Sequence, residues 1–471
     1  MDSVREPLQA TTVLCVAFAG LVGILLGYDM GIISGALLPL QRHFSLSDGE
    51  AELFVGLLSL CALPGCIAGS TLADRAGRRG GMRIASAAFL VGNALMAVAW
   101  SAPALFCGRA LAGFAMGLTY ILAPLYVAEV SPSRLRGMLT SLLEVLSNVG
   151  ILLGYLSGWA CDFLPAPTSW RTMLGVGVIP PLAIFCGSCC FMLESPRWLA
   201  SRERMDEAKD VLRRVVGPAE AARALAELRA DTATPAWREV LSTPGLPRIM
   251  VAGVGVAFFS QATGCEAVMY YSGSILAQVG MARRSQLLAT VVVGSVKTAA
   301  VLASSALVDA WGRRPLLLLS SAGMCLSMAA IGAAEGWGWP ASLDVAALCA
   351  FVVAFSLGFG PIVYVYNAEI YPQHCRSIGL GLAMGTCRVM SALVSSTFLS
   401  LSIWATVPGA LCVYSAVAAA GALFTHLLVP ETKGTTLEGV GASFRGGAAK
   451  VPDPDWHDPA SDNLSPAMYG A

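Results

Sequence analysis

The sequence predicts an all-α polytopic membrane protein whose twelve transmembrane helices form two pseudo-symmetric six-helix halves. Of its 471 residues, 56% are hydrophobic and 13% are charged, with a formal net charge of zero. A soluble domain, by contrast, averages about 25% charged residues. Apolar stretches of about 20 residues, the length that crosses a hydrocarbon core, recur along the chain, and several polar motifs occur twice. Composition, apolar stretches and repetition together predict the fold class.

The apolar stretches fall into two groups of six, separated by a polar interval. The first group covers residues 12–38, 51–72, 82–101, 103–127, 137–160 and 171–193. The second group covers residues 248–277, 286–308, 315–334, 343–368, 377–402 and 407–429. We therefore predict a first half at 1–193, a cytoplasmic loop at 194–247, a second half at 248–433 and a disordered cytoplasmic tail at 434–471.

The polar interval between the halves is expected to hold a short helix rather than a separate domain. Its stretch SRERMDEAKDVLRRV (201–215) places Met205, Ala208, Val211 and Leu212 on one helical face. This pattern predicts an amphipathic helix on the cytoplasmic side.

The distribution of cations predicts the orientation, because Lys and Arg near helix ends remain on the cytoplasmic side. The even-numbered connections carry Arg75, Arg78, Arg79, Arg83, Arg134, Arg136, Arg313, Arg314 and Arg376. Both termini are therefore predicted to be cytoplasmic, and the plasma membrane is the expected location, with an organelle membrane as the alternative. Arg283 and Arg284, before the eighth span, depart from this pattern, and we assign them no role.

The polar residues give no sign of catalysis or of a metal site. CGSCC (186–190) contains a Cys-x-x-Cys pair, but it lies inside an apolar span without a second pair or a nearby His. Zinc normally needs four ligands, so packing is the expected role of these small side chains. We predict no enzyme activity, no catalytic residue, no metal, no cofactor and no nucleic-acid partner.

Glycines spaced four residues apart predict where helices touch, since small residues let helix backbones approach closely in lipid. They form three sets, which are Gly27, Gly31 and Gly35; Gly113 and Gly117; and Gly150, Gly154 and Gly158. We expect each set to face a neighbouring helix.

Two motifs occur in both halves and indicate a duplicated six-helix unit. ADRAGRR (73–79) matches VDAWGRR (308–314), and AEVSPSRLRG (128–137) matches AEIYPQHCRSIG (368–379). They supply a candidate set of ion pairs: Asp74, Arg78, Arg79, Glu129, Arg136, Asp309, Arg313, Arg314, Glu369 and Arg376. We predict that these pairs tie the halves together on the cytoplasmic face and break when the halves separate. Such a two-state latch is what alternating access needs.

With three further motifs, the chain resembles the sugar porter family of the major facilitator superfamily over residues 11–440. The further motifs are ESPRWL (194–199), QATG (261–264) and PETKG (430–434). Residues 141–159 and 286–302 are most similar to plant polyol and monosaccharide transporters, which are proton symporters. The resemblance implies an alternating-access, proton-coupled transporter of a monosaccharide, polyol or cyclitol, functional as a monomer. A facilitative uniporter and a nontransporting sugar sensor on the same fold are the alternatives.

Asp29 is the polar exception in the apolar stretch GYDMGIISGALL (27–38). A carboxylate at the bilayer centre costs about 2.5 to 3.5 kcal/mol, and charges inside a membrane mark functional sites by default. The resemblance implies that Asp29 is the proton-coupling acid and that Arg109 is its partner, where facilitative relatives usually have Asn in place of the acid. The alternative is a permanent ion pair that only locks the first helix to the fourth.

The resemblance also implies a substrate site between the halves. Its matching positions are Glu144, Ser260, Gln261, Glu266, Tyr270, Lys297, Tyr364, Cys387 and Arg388. Six of them depart from the hexose-porter pattern, with Ser260 and Glu144 in place of glutamines, Glu266 and Lys297 in place of asparagines, Tyr364 in place of tryptophan, and Cys387 in place of an amide residue. An isolated buried Lys297 would be costly, so Glu144 or Glu266 is expected to neutralise it across the cavity.

Two of the spans that carry substrate candidates contain helix-weakening residues. Gly264 follows Gln261, and the stretch GFGPIVY (358–364) contains Gly360 and Pro361. Because proline removes a helical hydrogen bond, we predict a hinge at these two residues. Tyr364 is then expected to stack on a carbon face of the substrate.

Overall fold

The computed structural model describes residues 9–132, 135–165, 167–217, 221–222, 224–225, 245–278, 280–337, 340–371 and 375–433. Within these ranges the regular structure is entirely α-helical. The first half contains α1 (Ala10–Phe44), α2 (Asp48–Ala97), α3 (Ala102–Val130), α4 (Arg136–Cys161), α5 (Thr168–Val176) and α6 (Ile179–Cys190). Two short helices follow, α7 (Pro196–Ser201) and α8 (Met205–Val215). The second half contains α9 (Leu246–Ala262), α10 (Cys265–Gln278), α11 (Arg283–Trp311), α12 (Arg313–Trp337), α13 (Ala341–Leu357), α14 (Phe359–Ile370), α15 (Arg376–Ser395) and α16 (Phe398–Leu428).

The described residues contain eleven helical segments that are long and apolar enough to cross a membrane. One of them, α2, has 50 residues and would be about 75 Å long if straight, whereas a hydrocarbon core is about 30 Å thick. Gly77, with φ 78° and ψ 170°, divides α2 into two spans. A similar kink occurs in α16 at Thr406, where φ is 64°. The residues of α16 before Thr406 complete the eleventh span, and those after it form the twelfth. The prediction of twelve spans is confirmed.

Several spans are interrupted near their middle. The break between α9 and α10 falls at Gly264, where φ is +84° and an added Cβ would lie 2.8 Å from the Tyr414 ring. The prediction of a hinge at Gly360 and Pro361 is wrong by two residues, because α13 and α14 meet at Gly358. A side chain at Gly358 would overlap another helix, and Pro361 fits the first turn of α14, where its missing N–H is not needed.

The glycine sets mark backbone contacts between helices, as predicted. A Cβ on Gly27 or Gly31 of α1 would overlap the α4 backbone at Ser147 or Ile151. Conversely, a Cβ on Gly154 of α4 would lie 2.7 Å from the backbone nitrogen of Ile32. Helices α1 and α4 therefore pack backbone to backbone.

The amphipathic helix of the polar interval is present as α8, which begins at Met205 rather than at the start of the predicted stretch. Ala208, Leu212 and Val215 are buried. The Thr12 hydroxyl of α1 donates to the Val215 carbonyl at 2.7 Å and attaches the end of α8 to the first half.

The two ends of the bundle differ in charge. We call the end that contains Arg78, Arg79, Arg313 and Arg314 the basic face, and the other end the opposite face. At the opposite face the halves are joined by hydrogen bonds. Ser34 of α1 lies 2.8 Å from the Ser272 hydroxyl of α10.

Arg283, which the sequence analysis left without a role, belongs to this junction. Its guanidinium donates to the Gly35 carbonyl at 2.6 Å and to Asp162 Oδ1 at 3.2 Å. The cation departs from the charge pattern because it is neutralised by a carboxylate of the other half.

Glu52 forms a further contact between the halves at the opposite face. It is 3% exposed, and its carboxylate accepts hydrogen bonds from the backbone N–H of Ser400, at 2.7 Å, and from the Ser400 hydroxyl. The opposite face is therefore sealed by contacts of α1, α2 and α4 with α10, α11 and α16.

Candidate transport site

The structure brings Asp29 of α1 and Arg109 of α3 together inside the first half. Arg109 donates from Nη1 to Asp29 Oδ2 at 2.7 Å and from Nε to the Phe54 carbonyl at 3.1 Å. Its side chain is fully buried, and that of Asp29 is 4% exposed. The guanidinium also lies 5.1 Å from the centre of the Phe54 ring.

The ion pair leaves one guanidinium nitrogen unused. Among the described residues, Arg109 Nη2 has no hydrogen-bond partner, so Asp29 is the acid that compensates its charge. A proton on Asp29 would leave a buried guanidinium uncompensated, a state that costs several kcal/mol. Protonation of Asp29 is therefore a physical reason for α1 and α3 to rearrange.

Tyr270 of α10 is buried near this pair. It is 1% exposed, it is close to both Glu266 and Arg109, and its hydroxyl has no partner among the described residues. Gln261 Oε1 is likewise buried without a partner. Because buried polar atoms are normally hydrogen-bonded, these two groups fit a ligand that supplies hydroxyls.

Glu266 is tied to α15 and not to Lys297. The Ser391 hydroxyl donates to Glu266 Oε2, and the Ser391 and Ser59 hydroxyls are 3.1 Å apart. Glu266 Oε1 lies 3.8 Å from Nη1 of Arg388. Since Ser59 belongs to α2, this cluster joins the two halves beside the cavity.

Arg388 also reaches the first half. Its Nη1 donates to the Tyr120 hydroxyl of α3 at 3.0 Å, and its guanidinium lies 4.6 Å from the centre of the Tyr120 ring. Tyr364 is near Arg388 and Glu144 and is 42% exposed. An exposed ring beside two charged groups faces a polar cavity rather than lipid, as stacking on a substrate requires.

The expected salt bridge of Lys297 to a glutamate is not what the structure contains. Lys297 Nζ donates to Asn148 Oδ1 of α4 at 2.5 Å, and Asn148 Nδ2 donates to Glu144 Oε1 at 3.3 Å. The amide therefore stands between the ammonium and the carboxylate. The physical reason is register, since Glu144 lies one helical turn from Asn148, and it is Asn148 that faces α11.

Ser260 and Cys387 are brought together, but they bond to the protein. Their side chains are 3.6 Å apart, and both donate to the Ala257 carbonyl, at 2.9 and 3.4 Å. Both residues are buried. In this state they fill the space between α9 and α15.

On the basic face, the first half contains a compact ionic network at the kink of α2. Arg78 donates from Nε and Nη2 to the two oxygens of Glu129, at 2.9 and 3.0 Å. Glu194 Oε1 accepts the backbone N–H groups of Arg78 and Arg79 at 2.8 and 3.1 Å. Gly77, with φ +78°, provides the turn that exposes these N–H groups.

The second half repeats this network. Arg313 Nη2 donates to Glu369 Oε1 at 2.7 Å. Glu431 accepts the backbone N–H groups of Arg313 and Arg314 at 2.9 and 3.0 Å, and Gly312 has φ +90°.

In this state the pairs of the set that the structure describes lie within one half, and the prediction that the set ties the halves together in another state stays a prediction. Arg78 pairs with Glu129 inside the first half, and Arg313 pairs with Glu369 inside the second. Each arginine stands at a tight turn between two spans, and its carboxylate lies on a later span of the same half. Asp74 is largely exposed and lies 3.6 Å from Arg78.

The remaining members of the predicted set have other surroundings. Arg79 donates to the Ser188 carbonyl at 2.7 Å, and Arg314 donates to the His426 carbonyl at 2.7 Å. Arg136 Nε is buried without a partner among the described residues. The side chains of Asp309 and Arg376 lie outside the described residues.

A family model described as "Sugar (and other) transporter" matches residues 13–444. The chain belongs to the sugar transporter family. This family consists of membrane transporters, so the predicted resemblance and fold class are confirmed.

Relatives and solved structures agree with this assignment. Probable polyol transporter 4 of Arabidopsis thaliana is 40% identical over 449 residues, which are 92% of this chain and 85% of the relative. The inward-open conformation of the xylose transporter XylE from E. coli superposes with a TM-score of 0.81 at 26% identity, covering 92% of this chain and 99% of XylE. The proton:xylose symporter XylE bound to 6-bromo-6-deoxy-D-glucose superposes with a TM-score of 0.73 at 28% identity, covering 92% and 99%.

The sugar transporter therefore resembles an inward-open structure in which the opposite face is closed, as the contacts of Ser34, Glu52 and Arg283 indicate. Sequence reasoning missed several residues of the site: Ser59, Tyr120, Asn148, Glu194, Ser391 and Glu431. Two signals could have identified some of them. Asn148 follows Glu144 by one helical turn, and Glu194 and Glu431 each follow the last span of a half, in ESP and PET.

Proposed function

We propose that this sugar transporter works by alternating access as a proton symporter of a monosaccharide, polyol or cyclitol. One observation carries the proposal, namely the buried pair of Asp29 and Arg109, in which the carboxylate is the acid that compensates the guanidinium. Similarity to a probable polyol transporter and to a proton:xylose symporter supports both the substrate class and the coupling.

The substrate is proposed to bind between the halves. Gln261 and Tyr270 supply buried hydrogen-bonding groups without protein partners, and Tyr364 supplies an accessible ring near Glu144 and Arg388. A neutral solute with several hydroxyls fits such a site, because hydroxyls both donate to carboxylates and accept from guanidinium groups.

Coupling follows from the position of Tyr270. Its unpartnered hydroxyl lies close to Arg109 and to Glu266, so a shift of Arg109 on protonation of Asp29 changes the surroundings of a residue at the cavity. Proton binding and substrate binding then favour the same rearrangement of the helices.

We further propose that the basic face is cytoplasmic and that both termini lie there, in the plasma membrane. The proposed units are the halves 1–193 and 248–433, the helical loop 194–247 and the tail 434–471, in a protein that works as a monomer. The cation-rich turns at Gly77 and Gly312 support this orientation.

The test is uptake of a panel of labelled hexoses, pentoses, linear polyols and cyclitols into cells that lack their own hexose transport, with and without a protonophore. We expect uptake of at least one neutral solute and a large reduction by the protonophore. Uptake that is insensitive to the protonophore would indicate the facilitative uniporter. Substrate binding without any uptake would indicate the nontransporting sensor.

A further inference from the structure

The second half has a pocket on the basic face that is lined by none of the proposed proton-coupling or substrate-binding residues. It has a volume of about 520 Å³ and lies between the starts of α9 and α12 and the end of α16. Arg248, Arg314 and His426 line it, and none of its lining residues is acidic. Its apolar wall includes Val251, 51% exposed, and Leu427, 66% exposed.

Arg314 has unused hydrogen-bonding capacity at this pocket. Its Nη2 donates to the His426 carbonyl, but its Nε is buried and has no partner among the described residues. A buried guanidinium N–H without an acceptor costs free energy, and an anionic oxygen is its strongest acceptor.

The first half provides a natural comparison. A pocket of about 450 Å³ occupies the corresponding place and is lined by Arg79, Arg83 and Arg204. It also contains Glu194 and Glu207, and Arg204 donates to both oxygens of Glu207 at 2.7 Å. In the first half the carboxylates of Glu194 and Glu207 line the pocket. In the second half Glu431, which accepts the backbone N–H of Arg314, follows the lining residue Pro430 and is not part of the lining.

We propose that the pocket of the second half binds the phosphate of an anionic phospholipid headgroup. Arg248 and Arg314 would contact the phosphate oxygens, and the acyl chains would cover Val251 and Leu427. The lipid is the occupant that matches both the basic rim and the exposed apolar wall. The inference rests on the orientation proposed above, because the cytoplasmic leaflet is the one rich in anionic lipids.

The test is lipid binding by the purified full-length protein in phosphatidylcholine bilayers that contain a minor fraction of spin-labelled phosphatidylglycerol or spin-labelled phosphatidylcholine. We expect more immobilised phosphatidylglycerol than phosphatidylcholine, and an excess that falls with added salt. Arg248→Gln should remove most of this excess, whereas Arg248→Lys should retain part of it. Arg83→Gln, in the pocket of the first half, should leave the excess unchanged.

An excess that persists in Arg248→Gln and is insensitive to salt would overturn the proposal. Displacement of the labelled lipid by inorganic phosphate would show that the pocket recognises free phosphate instead. A chain that ends at Lys433 and binds much more lipid would show that the acidic tail occupies the pocket. The assay does not involve transport, so its outcome is independent of whether the proposed symport is correct.

Discussion

The two halves of the protein repeat one ionic network on the basic face and differ in the interior. Arg78 pairs with Glu129 in the first half as Arg313 pairs with Glu369 in the second. In the interior, however, the charge of Arg109 is compensated within the first half. Two cations of the second half bond to the first half instead, Lys297 to Asn148 and Arg388 to Tyr120.

This difference separates two kinds of interaction. A pair that is repeated and closed within one half holds the spans of that half together and can persist through the transport cycle. A bond between the halves, such as that of Arg388 with Tyr120, must change when the halves move. We therefore expect the repeated networks to be structural supports and the unrepeated contacts to carry coupling and specificity.

The largest effect is expected from Asp29→Asn, because an amide cannot take up the proton. One proton moving down about 100 mV supplies roughly 2.3 kcal/mol, and a pH difference of one unit adds about 1.4 kcal/mol. Together they support an accumulation on the order of a few hundredfold. The substitution should abolish this accumulation and leave substrate exchange intact, as measured in energised vesicles with an inward proton gradient.

Glu52→Gln is the matched control for this prediction. Glu52 is an equally buried carboxylate of the first half, but it accepts hydrogen bonds from Ser400 and has no cation within ion-pair distance among the described residues. The Glu52→Gln variant should still accumulate substrate. If Asp29→Asn still concentrated substrate with unchanged protonophore sensitivity, Asp29 would only be the structural partner of Arg109.

Gln261→Ala should be the next largest change. Loss of a buried hydrogen bond to a substrate hydroxyl weakens apparent affinity by about 1 to 3 kcal/mol, roughly five- to a hundredfold. The measurement is the substrate concentration that gives half-maximal uptake. Gln286→Ala is the control, because this buried glutamine donates to the Met281 carbonyl near the opposite face, and an equal effect there would argue against a ligand role for Gln261.

The bond between Lys297 and Asn148 can be tested by double-mutant cycles. Asn148→Leu leaves the buried ammonium of Lys297 without its acceptor. The free energy of unfolding, measured by thermal unfolding in detergent, should therefore fall by about 1 to 3 kcal/mol. The double change with Lys297→Met should recover part of this loss. In a cycle that pairs Lys297 with Glu266, the two mutational effects should be additive. Strong coupling between these two residues would instead support the salt bridge expected from the sequence.

The smallest effects concern the repeated networks. Arg78→Ala and Arg313→Ala should each lower the maximal transport rate by a few-fold and by similar factors, because each removes the cation that pairs with a carboxylate on a later span of the same half. Substrate selectivity should not change. Asp74→Asn is the control and should have little effect, and unequal losses for the two arginines would contradict the equivalence of the halves.

The twelve spans were predictable because each is an apolar stretch long enough to cross a bilayer. The pair of Asp29 and Arg109 was predictable from the resemblance, since a carboxylate and a guanidinium are both too costly to bury singly. The helix contacts at Gly27 and Gly154 were predictable because close backbone approach in lipid requires small residues at that spacing.

The partners of the cavity residues were not predictable. Whether Lys297 meets Glu144 or Asn148 depends on the position of α11 along the axis of α4, because the two residues lie one helical turn apart on the same face of α4. The break at Gly358 was misplaced because proline is a strong local signal, whereas the need for glycine comes from a different helix. Glu194 and Glu431 bind backbone N–H groups, and such groups become available only when Gly77 and Gly312 adopt positive φ.

The glycine contact between α1 and α4 has a mechanical consequence. The two backbones touch directly at Gly27, Gly31 and Gly154, so there is no layer of side chains between them that could repack and absorb a small displacement. Helix α1 carries Asp29, the acid that we propose takes up the proton, and α4 carries Glu144 and Asn148. We expect α1 and α4 to move together as a rigid unit. A displacement of α1 at Asp29 should then displace Glu144 and Asn148 of α4 by a similar distance.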